Sequence, residues 1–273
     1  MPELPEVERA RALVEARGLG RTIVAVDDTD TWVCRPHAPG EIAAALEGRT
    51  LTATHRRGKA MWFETDGGLG PDLGVHLGMA GRVVVDDDEA GDPATGLASS
   101  AGGARRDAAG VDLSRWDRFA LDFADGGRLV LRDKRRLGRV RLEPDLGGVG
   151  PDAAEIGRAG FRARVGRGVV PVKARIMDQS VLAGVGNLLA DEALWRARQD
   201  PRQAAGTLTE EQLDRLWRAI RAATRDAIRL GGVHTGKVIP HRVRGGSCPR
   251  CGAPMERATI GGRTTWWCGR EQA

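Results

Sequence analysis

The hydrophobic period of this chain changes near Pro151, and that change limits the fold more than any other feature. From Thr22 to Val85, and again from Trp116 to Leu142, run short segments of β type: TIVAVDD, LTATHRR, KAMWFET, GVHLGMAGRVVV and RFALDFADGGRLVLRD. Asp-Gly and Gly-Gly pairs divide them, so strands joined by turns are expected. One amphipathic helix over about Glu3–Arg17 precedes them, with Val7, Ala10, Leu13 and Val14 at helical spacing and Gly18 and Gly20 at its end. After Pro151 the period becomes helical, in Asp152–Ala159, Lys173–Ala183, Gly186–Ala197 and Thr209–Leu230. Thr209 and Glu211 mark the start of the last helix, and Gly231-Gly232 its end. A cysteine-bounded hairpin closes the chain. The reading is an α+β fold: a β-rich domain over residues 1–138, a connector over 139–151, a helical domain over 152–235 and a ribbon over 236–273. The polar, Gly-rich stretch DDDEAGDPATGLASSAGGARRDAAG is expected to be a long surface loop.

Charge narrows the partner. The 273 residues carry a formal net charge of +5, and the sequence pI is about 9.5. From Gly236 onward, Lys237, Arg242, Arg244, Arg250, Arg257, Arg263 and Arg270 face only Glu256 and Glu271, so the ribbon holds an excess equal to the whole net charge. Basic residues alternating with Trp266 and Trp267 in a hairpin suit a nucleic acid. There is no apolar run long enough to span a bilayer and no signal peptide, so a soluble, cytoplasmic protein is expected; it is also expected to be a monomer. Three of the four cysteines cluster near the C-terminus, a pattern of metal chemistry in a reducing compartment. Cys34 stands apart and reads as a small buried residue.

The cluster is CPRC followed by WWCGRE. Cys248, Cys251 and Cys268 keep the spacing of a zinc ribbon, and Glu271 stands where a fourth cysteine would complete it. A carboxylate is an accepted zinc ligand, so the expected cofactor is one structural zinc ion on three cysteines with Glu271 or water as the fourth ligand. A metal-free ribbon held by Trp266, Trp267 and strand pairing is the simpler alternative.

At the other end stands MPELPEVE. Methionine before a small residue is expected to be removed, leaving Pro2 with a free secondary amine. An α-amine titrates near 8, well below lysine, so a far larger share is unprotonated and nucleophilic at neutral pH. Attack of such an amine on a sugar aldehyde carbon gives an iminium cation, an electron sink for elimination. Glu3 follows directly and can shuttle protons. Proline and acidic residues are also favoured at helix starts for structural reasons alone.

Six segments in this order resemble the formamidopyrimidine-DNA glycosylase / endonuclease VIII family of bifunctional base-excision repair enzymes. They are MPELPEVE, HRRGKAMW, VHLGMAGR, LRDKRRLGR, KARIMDQSVLAGVGNLLADEALW and CPRC…GGRTTWWC, and they span essentially the full length. The resemblance implies an N-terminal helix with a two-sheet β-sandwich, then a helix–two-turn–helix domain with a zinc-ribbon hairpin. It implies that Pro2 attacks C1′ of a damaged nucleotide, that Glu3 acts as acid or base at the sugar, and that Lys59 contacts the lesion phosphate. A target base must leave the stack to reach a protein nucleophile, at a cost of a few kcal/mol that inserted side chains offset. Met79, Arg135 and Leu137 match the inserting positions, with Leu137 where many relatives carry Phe. Lys173, Asn187 with the amides of its helix start, and Arg263 match phosphate contacts.

The partner implied is double-stranded DNA with oxidised bases or abasic sites. Oxidised purines, 8-oxoguanine and formamidopyrimidines, are the first expectation, with loss of the base followed by β/δ-elimination. The segment GGVHTGKVIPHRVRGGSC is shorter than in purine-specific members, which keeps oxidised pyrimidines as an alternative. A damaged-DNA-binding protein without catalysis is a second alternative, and a bare zinc-ribbon module would explain only the last segment.

Overall fold

The computed structural model describes residues 2–86, 88–89 and 112–272. The Gly-rich stretch expected as a loop lies outside the described residues, apart from Asp86 and the backbone of Asp88–Glu89. The chain forms two compact units: Pro2 with Glu6–Leu146, and Glu3–Pro5 with the residues from Gly147 onward. Among the described residues no helix is long and apolar enough to cross a membrane.

Among its described residues the first unit contains helix α1 (Leu4–Arg17) from Glu6 on, the short helix α2 (Glu41–Leu46) and nine strands. These strands are β1 (Ile23–Asp27), β2 (Leu51–Arg57), β3 (Ala60–Thr65), β4 (Leu73–His76), β5 (Arg82–Val85), β6 (Asp88–Glu89), β7 (Asp117–Phe123), β8 (Arg128–Arg132) and β9 (Arg139–Leu142). They make two antiparallel sheets, β1-β7-β8-β5-β6 and β2-β3-β4-β9. Successive side chains on a strand point to opposite faces, and each sheet turns one large apolar face to the core, while the five-stranded sheet buries Val84, Ala120 and Val130 on its other face. On β7 the core face is Phe119, Leu121 and Phe123, and on β3 it is Met61 and Phe63. Both faces join one core with Val7, Ala10 and Val14 of α1. Burying each of the large side chains contributes roughly 1.5–3 kcal/mol. Arg139–Leu142, placed in the connector by sequence, is the strand β9 and pairs with β4.

In the second unit, α3 (Arg158–Val165), α4 (Val172–Met177), α5 (Asn187–Ala197) and α6 (Glu210–Leu230) pack around Phe161, Ile176, Leu182, Leu194 and Leu216, joined by Leu4. Two of these helices differ from the sequence reading. Asp152–Ile156 is a turn rather than a helix: Asp152 accepts from Ala154 N through its side chain (2.8 Å) and from Ile156 N through its carbonyl (2.9 Å), and α3 starts only after Gly157. The helix expected over Lys173–Ala183 stops at Met177, because the Asp178 carboxylate captures Ser180 N (2.9 Å) and Ser180 Oγ (2.7 Å) in a competing turn. The last helix follows expectation. Thr209 and Gln212 cap each other reciprocally, and Gly231 ends α6 in the left-handed region at φ 112°.

The chain closes with the hairpin of β10 (Met255–Ile260) and β11 (Arg263–Cys268). Ile260 pairs with Arg263, so Gly261-Gly262 is the two-residue turn, and its φ values of +58° and +72° are those that a right-twisted hairpin requires. Replacing Thr209 by Ala removes the α6 cap and should lower the stability of the helical unit by about 1 kcal/mol, read as a shift of its urea midpoint. An unmoved midpoint would show that the cap carries no weight.

Candidate active site and nucleic-acid interface

The N-terminal motif is built around a helix end. Glu3 is 1% exposed, and its carboxylate accepts hydrogen bonds from the amides of Gly186 (3.1 Å), Leu188 (2.9 Å) and Leu189 (3.0 Å). These groups open α5, where orphan amides and the helix dipole favour an anion. The sequence reading reserved this helix start for a phosphate; the structure gives its amides to Glu3 instead. Gly186 makes the approach possible, since a Cβ there would lie 2.3 Å from Glu3 Cδ. Leu4 N donates to Gly184 O (3.1 Å), which fixes the chain on the far side of the carboxylate. Pro2, half-buried, directly precedes this anchored residue.

In the first unit the expected site residues lie on three loops. Lys59 sits in the turn between β2 and β3, beside His76 at the end of β4. His76 keeps an edge in solvent, yet burial, followed by the Lys59 ammonium, holds its pKa below the usual range. Its Nδ1 lies 3.0 Å from the Gly78 amide, which can only donate, so that nitrogen is the unprotonated one. Met79 follows and is 41% exposed, while Leu137 on the β8–β9 loop is 37% exposed. The two loops touch. Gly78 has φ +61°, and a Cβ there would fall 2.4 Å from the Leu137 carbonyl.

The β8–β9 loop is held from within. Asp133 is fully buried, and its carboxylate accepts from the amides of Arg135 (2.9 Å), Leu137 (2.7 Å) and Gly138 (2.7 Å). Arg136 takes a left-handed backbone at φ +53° and grips Asp30 with two bonds of 2.9 and 2.7 Å. That leaves Arg135 and Leu137 facing outward.

In the second unit, Lys173 departs from the sequence reading. It is fully buried, so its ammonium does not present itself to a partner at the surface. It donates to Asn187 Oδ1 (2.7 Å) and Thr265 Oγ1 (2.7 Å) and lies 2.6 Å from Asp191 Oδ1. Burial pulls its pKa below the usual lysine range, and Asp191 pulls it back. Because a lysine only donates, the facing atom of Asn187 must be oxygen, and its amide nitrogen stays a donor. Arg263 is exposed at the hairpin tip.

Cys248, Cys251 and Cys268 place their sulfurs within 4.8 Å of one another, with 3.5 Å between Cys251 and Cys268, and could hold a metal ion. Burial raises the Cys248 thiol, but the Trp195 indole N–H (3.3 Å) and the backbone amides of Arg250 and Cys251 outweigh it and bring it to about 7. Glu271 does not join them. Its Oε2 pairs instead with Arg250 (3.2 Å) and Arg198 (3.3 Å). Cys34 is buried, and burial together with Asp28, Asp30 and Asp27 pushes its thiol to about 12, which makes it inert.

Sequence reasoning overlooked Asp133, His76, Asp191 and Arg242. For Asp191 a signal existed: it follows Asn187 by four residues on α5, so the two share a face of the helix.

Comparison with known proteins identifies the family. Residues 1–140 match the formamidopyrimidine-DNA glycosylase N-terminal domain, and residues 148–238 match the formamidopyrimidine-DNA glycosylase H2TH domain. The chain is 32% identical to formamidopyrimidine-DNA glycosylase of Chloroflexus aurantiacus over 98% of its length and 96% of that relative. It is 34% identical to that of Thermus thermophilus, over 98% and 97%. The crystal structure of the MutM (Fpg) protein from Thermus thermophilus superposes with a TM-score of 0.76 at 32% identity, covering 99% of this chain and 98% of that one. The Lactococcus lactis protein in complex with FAPY-dG containing DNA gives 0.80 at 27% identity, covering 99% of each. With both domains matched and near-complete alignment to these relatives, the chain belongs to the formamidopyrimidine-DNA glycosylase family.

Proposed function

We propose that this protein is a bifunctional DNA glycosylase and abasic-site lyase acting on oxidised purines, formamidopyrimidines and 8-oxoguanine, in double-stranded DNA. The observation that carries the reading is the seat of Glu3: three amides hold the carboxylate that immediately follows Pro2. A side chain anchored in this way gives the mature N-terminus a defined position, which a nucleophile needs. The Lactococcus lactis relative bound to FAPY-dG containing DNA supports the substrate class.

In the proposed reaction the Pro2 amine forms a bond to C1′ while the bond from C1′ to the base breaks, and the base leaves with a proton. Sugar ring opening yields an iminium cation. Loss of a C2′ proton then expels the 3′ phosphate, and a second elimination expels the 5′ phosphate. Glu3 moves protons at the sugar, and Lys59 holds the lesion phosphate. Met79 and Leu137 fill the gap left in the stack, and Arg135 bonds the orphaned base. Asn187 and Arg263 grip the flanking phosphates.

Borohydride reduction should trap the processed protein on a duplex carrying 8-oxoguanine, and Pro2→Gly or retention of Met1 should abolish the adduct. A processed wild-type chain that forms no adduct would sink the reading. The segment between α6 and the first cysteine knuckle contains only the short turns Val233–Thr235 and Ile239–His241, which leaves little chain to cover a purine. A duplex with 5-hydroxyuracil therefore belongs in the same assay, and faster trapping there would reassign the substrate to oxidised pyrimidines.

The ribbon is proposed to bind one structural zinc ion. Zinc–sulfur bonds of about 2.3 Å in a tetrahedron separate sulfurs by about 3.8 Å, a spacing that the thiol cluster can meet. Such an ion would tie the CPRC knuckle to the end of β11. Since Glu271 is engaged by arginines, zinc measured on the purified protein should persist in Glu271→Gln and vanish in Cys268→Ser. Loss of zinc in Glu271→Gln would restore the glutamate as a ligand.

Arg263→Ala should reduce the slope of log K against log salt by about 0.9, the share of one phosphate. An unchanged slope would remove Arg263 from the phosphate contacts.

A further inference from the structure

Lys173, Asp191 and Arg242 carry charge, and none of the three has a place in the proposed chemistry. Lys173 and Asp191 have fully buried side chains, and Arg242 is 12% exposed. Buried charges persist only when paired and hydrogen-bonded, and here each is. Lys173 donates hydrogen bonds to Asn187 Oδ1 (2.7 Å) and Thr265 Oγ1 (2.7 Å), with Thr264 O more distant at 3.5 Å. Asp191 Oδ1 lies 2.6 Å from the ammonium and pairs with its charge. The other oxygen, Oδ2, accepts from Arg242 Nε (2.7 Å) and Trp266 N (3.3 Å), and Arg242 Nη2 reaches Thr264 O (3.3 Å).

These contacts follow a definite path. Thr265 Oγ1 accepts from Lys173 and donates to Arg263 O (3.1 Å). Asn187 and the backbone of Arg263 are thus joined through two intervening side chains. Their carriers also touch: a Cβ on Gly261, in the hairpin turn, would lie 2.9 Å from Ala174 Cβ on α4. The turn glycine lets the hairpin settle directly beside Lys173.

We propose that Lys173, Asp191 and Arg242 form a buried positioning network that sets Asn187 and Arg263 as a single phosphate-binding edge, with Lys173 acting on DNA only through them. This inference rests on the DNA-binding reading above. It makes the three residues positioning residues, and it makes Thr265 the link to one partner only.

Non-additivity is the test, measured with the full chain and a duplex carrying a tetrahydrofuran abasic analogue. Lys173→Met and Arg242→Met should each weaken binding by about tenfold or more in the wild-type background, and by less than about twofold once Asn187→Ala and Arg263→Ala are present. Thr265→Val keeps the shape and cuts the path to Arg263. Its loss should vanish in an Arg263→Ala background and persist in an Asn187→Ala background, a selectivity that general loosening of the fold would not produce. If Lys173→Met does not fold, Arg242→Met and Thr265→Val carry the test. Equal losses in both backgrounds, or no loss in the wild type, would overturn the network. A wild-type chain that fails to bind the duplex would overturn the DNA-binding reading along with it.

Discussion

The carboxylate of Glu3 at the amino end of α5 is the interaction on which the rest of the site depends. A helix start carries orphan amides that need an acceptor, and a buried carboxylate needs donors; each satisfies the other at 2.9–3.1 Å. Much of the cost of burying the charge is met by backbone donors, which leaves more of the basic side chains for phosphates. Gly184 and Gly186 serve that arrangement. The first lets Leu4 into the core, and the second leaves room for the carboxylate itself. The GVGN turn, which reads in sequence as a place for an external anion, holds an internal one.

A second acid, Asp133, follows the same logic on the β8–β9 loop, and a third, Asp191, follows it largely with cations instead of amides. In all three a buried carboxylate organises groups that point outward. Helical spacing puts Asp191 on the face of Asn187, whereas nothing in a one-letter string marks Asp133 as an acid that turns inward.

Much of the architecture was legible. The β-type segments KAMWFET and RFALDF contain strands β3 and β7, helices follow Pro151, and Thr209 and Gly231 bounded α6 correctly. The misses share a cause. Asp152 and Asp178 stop or delay helices by capturing nearby backbone amides, a local competition that hydrophobic periodicity does not register. At the site, Met79, Leu137 and Arg263 are exposed. Lys173 and Glu271 behaved differently because partners distant in sequence, Asp191 for one and Arg198 and Arg250 for the other, claimed them. Spacing along the chain cannot reveal a competitor brought in by folding.

The grip of Arg136 on Asp30 has a consequence for how DNA would be surveyed. Together with the three amides on Asp133, it sets the Leu137 loop before any partner arrives. In the proposed function Leu137 is a wedge, and a wedge that is already ordered would lose little freedom on entering a stack. The work of opening each base pair would then fall almost entirely on the duplex. A weakened or misshapen pair would yield and a sound one would not, so discrimination would begin in the mechanics of the DNA before any pocket inspects a base.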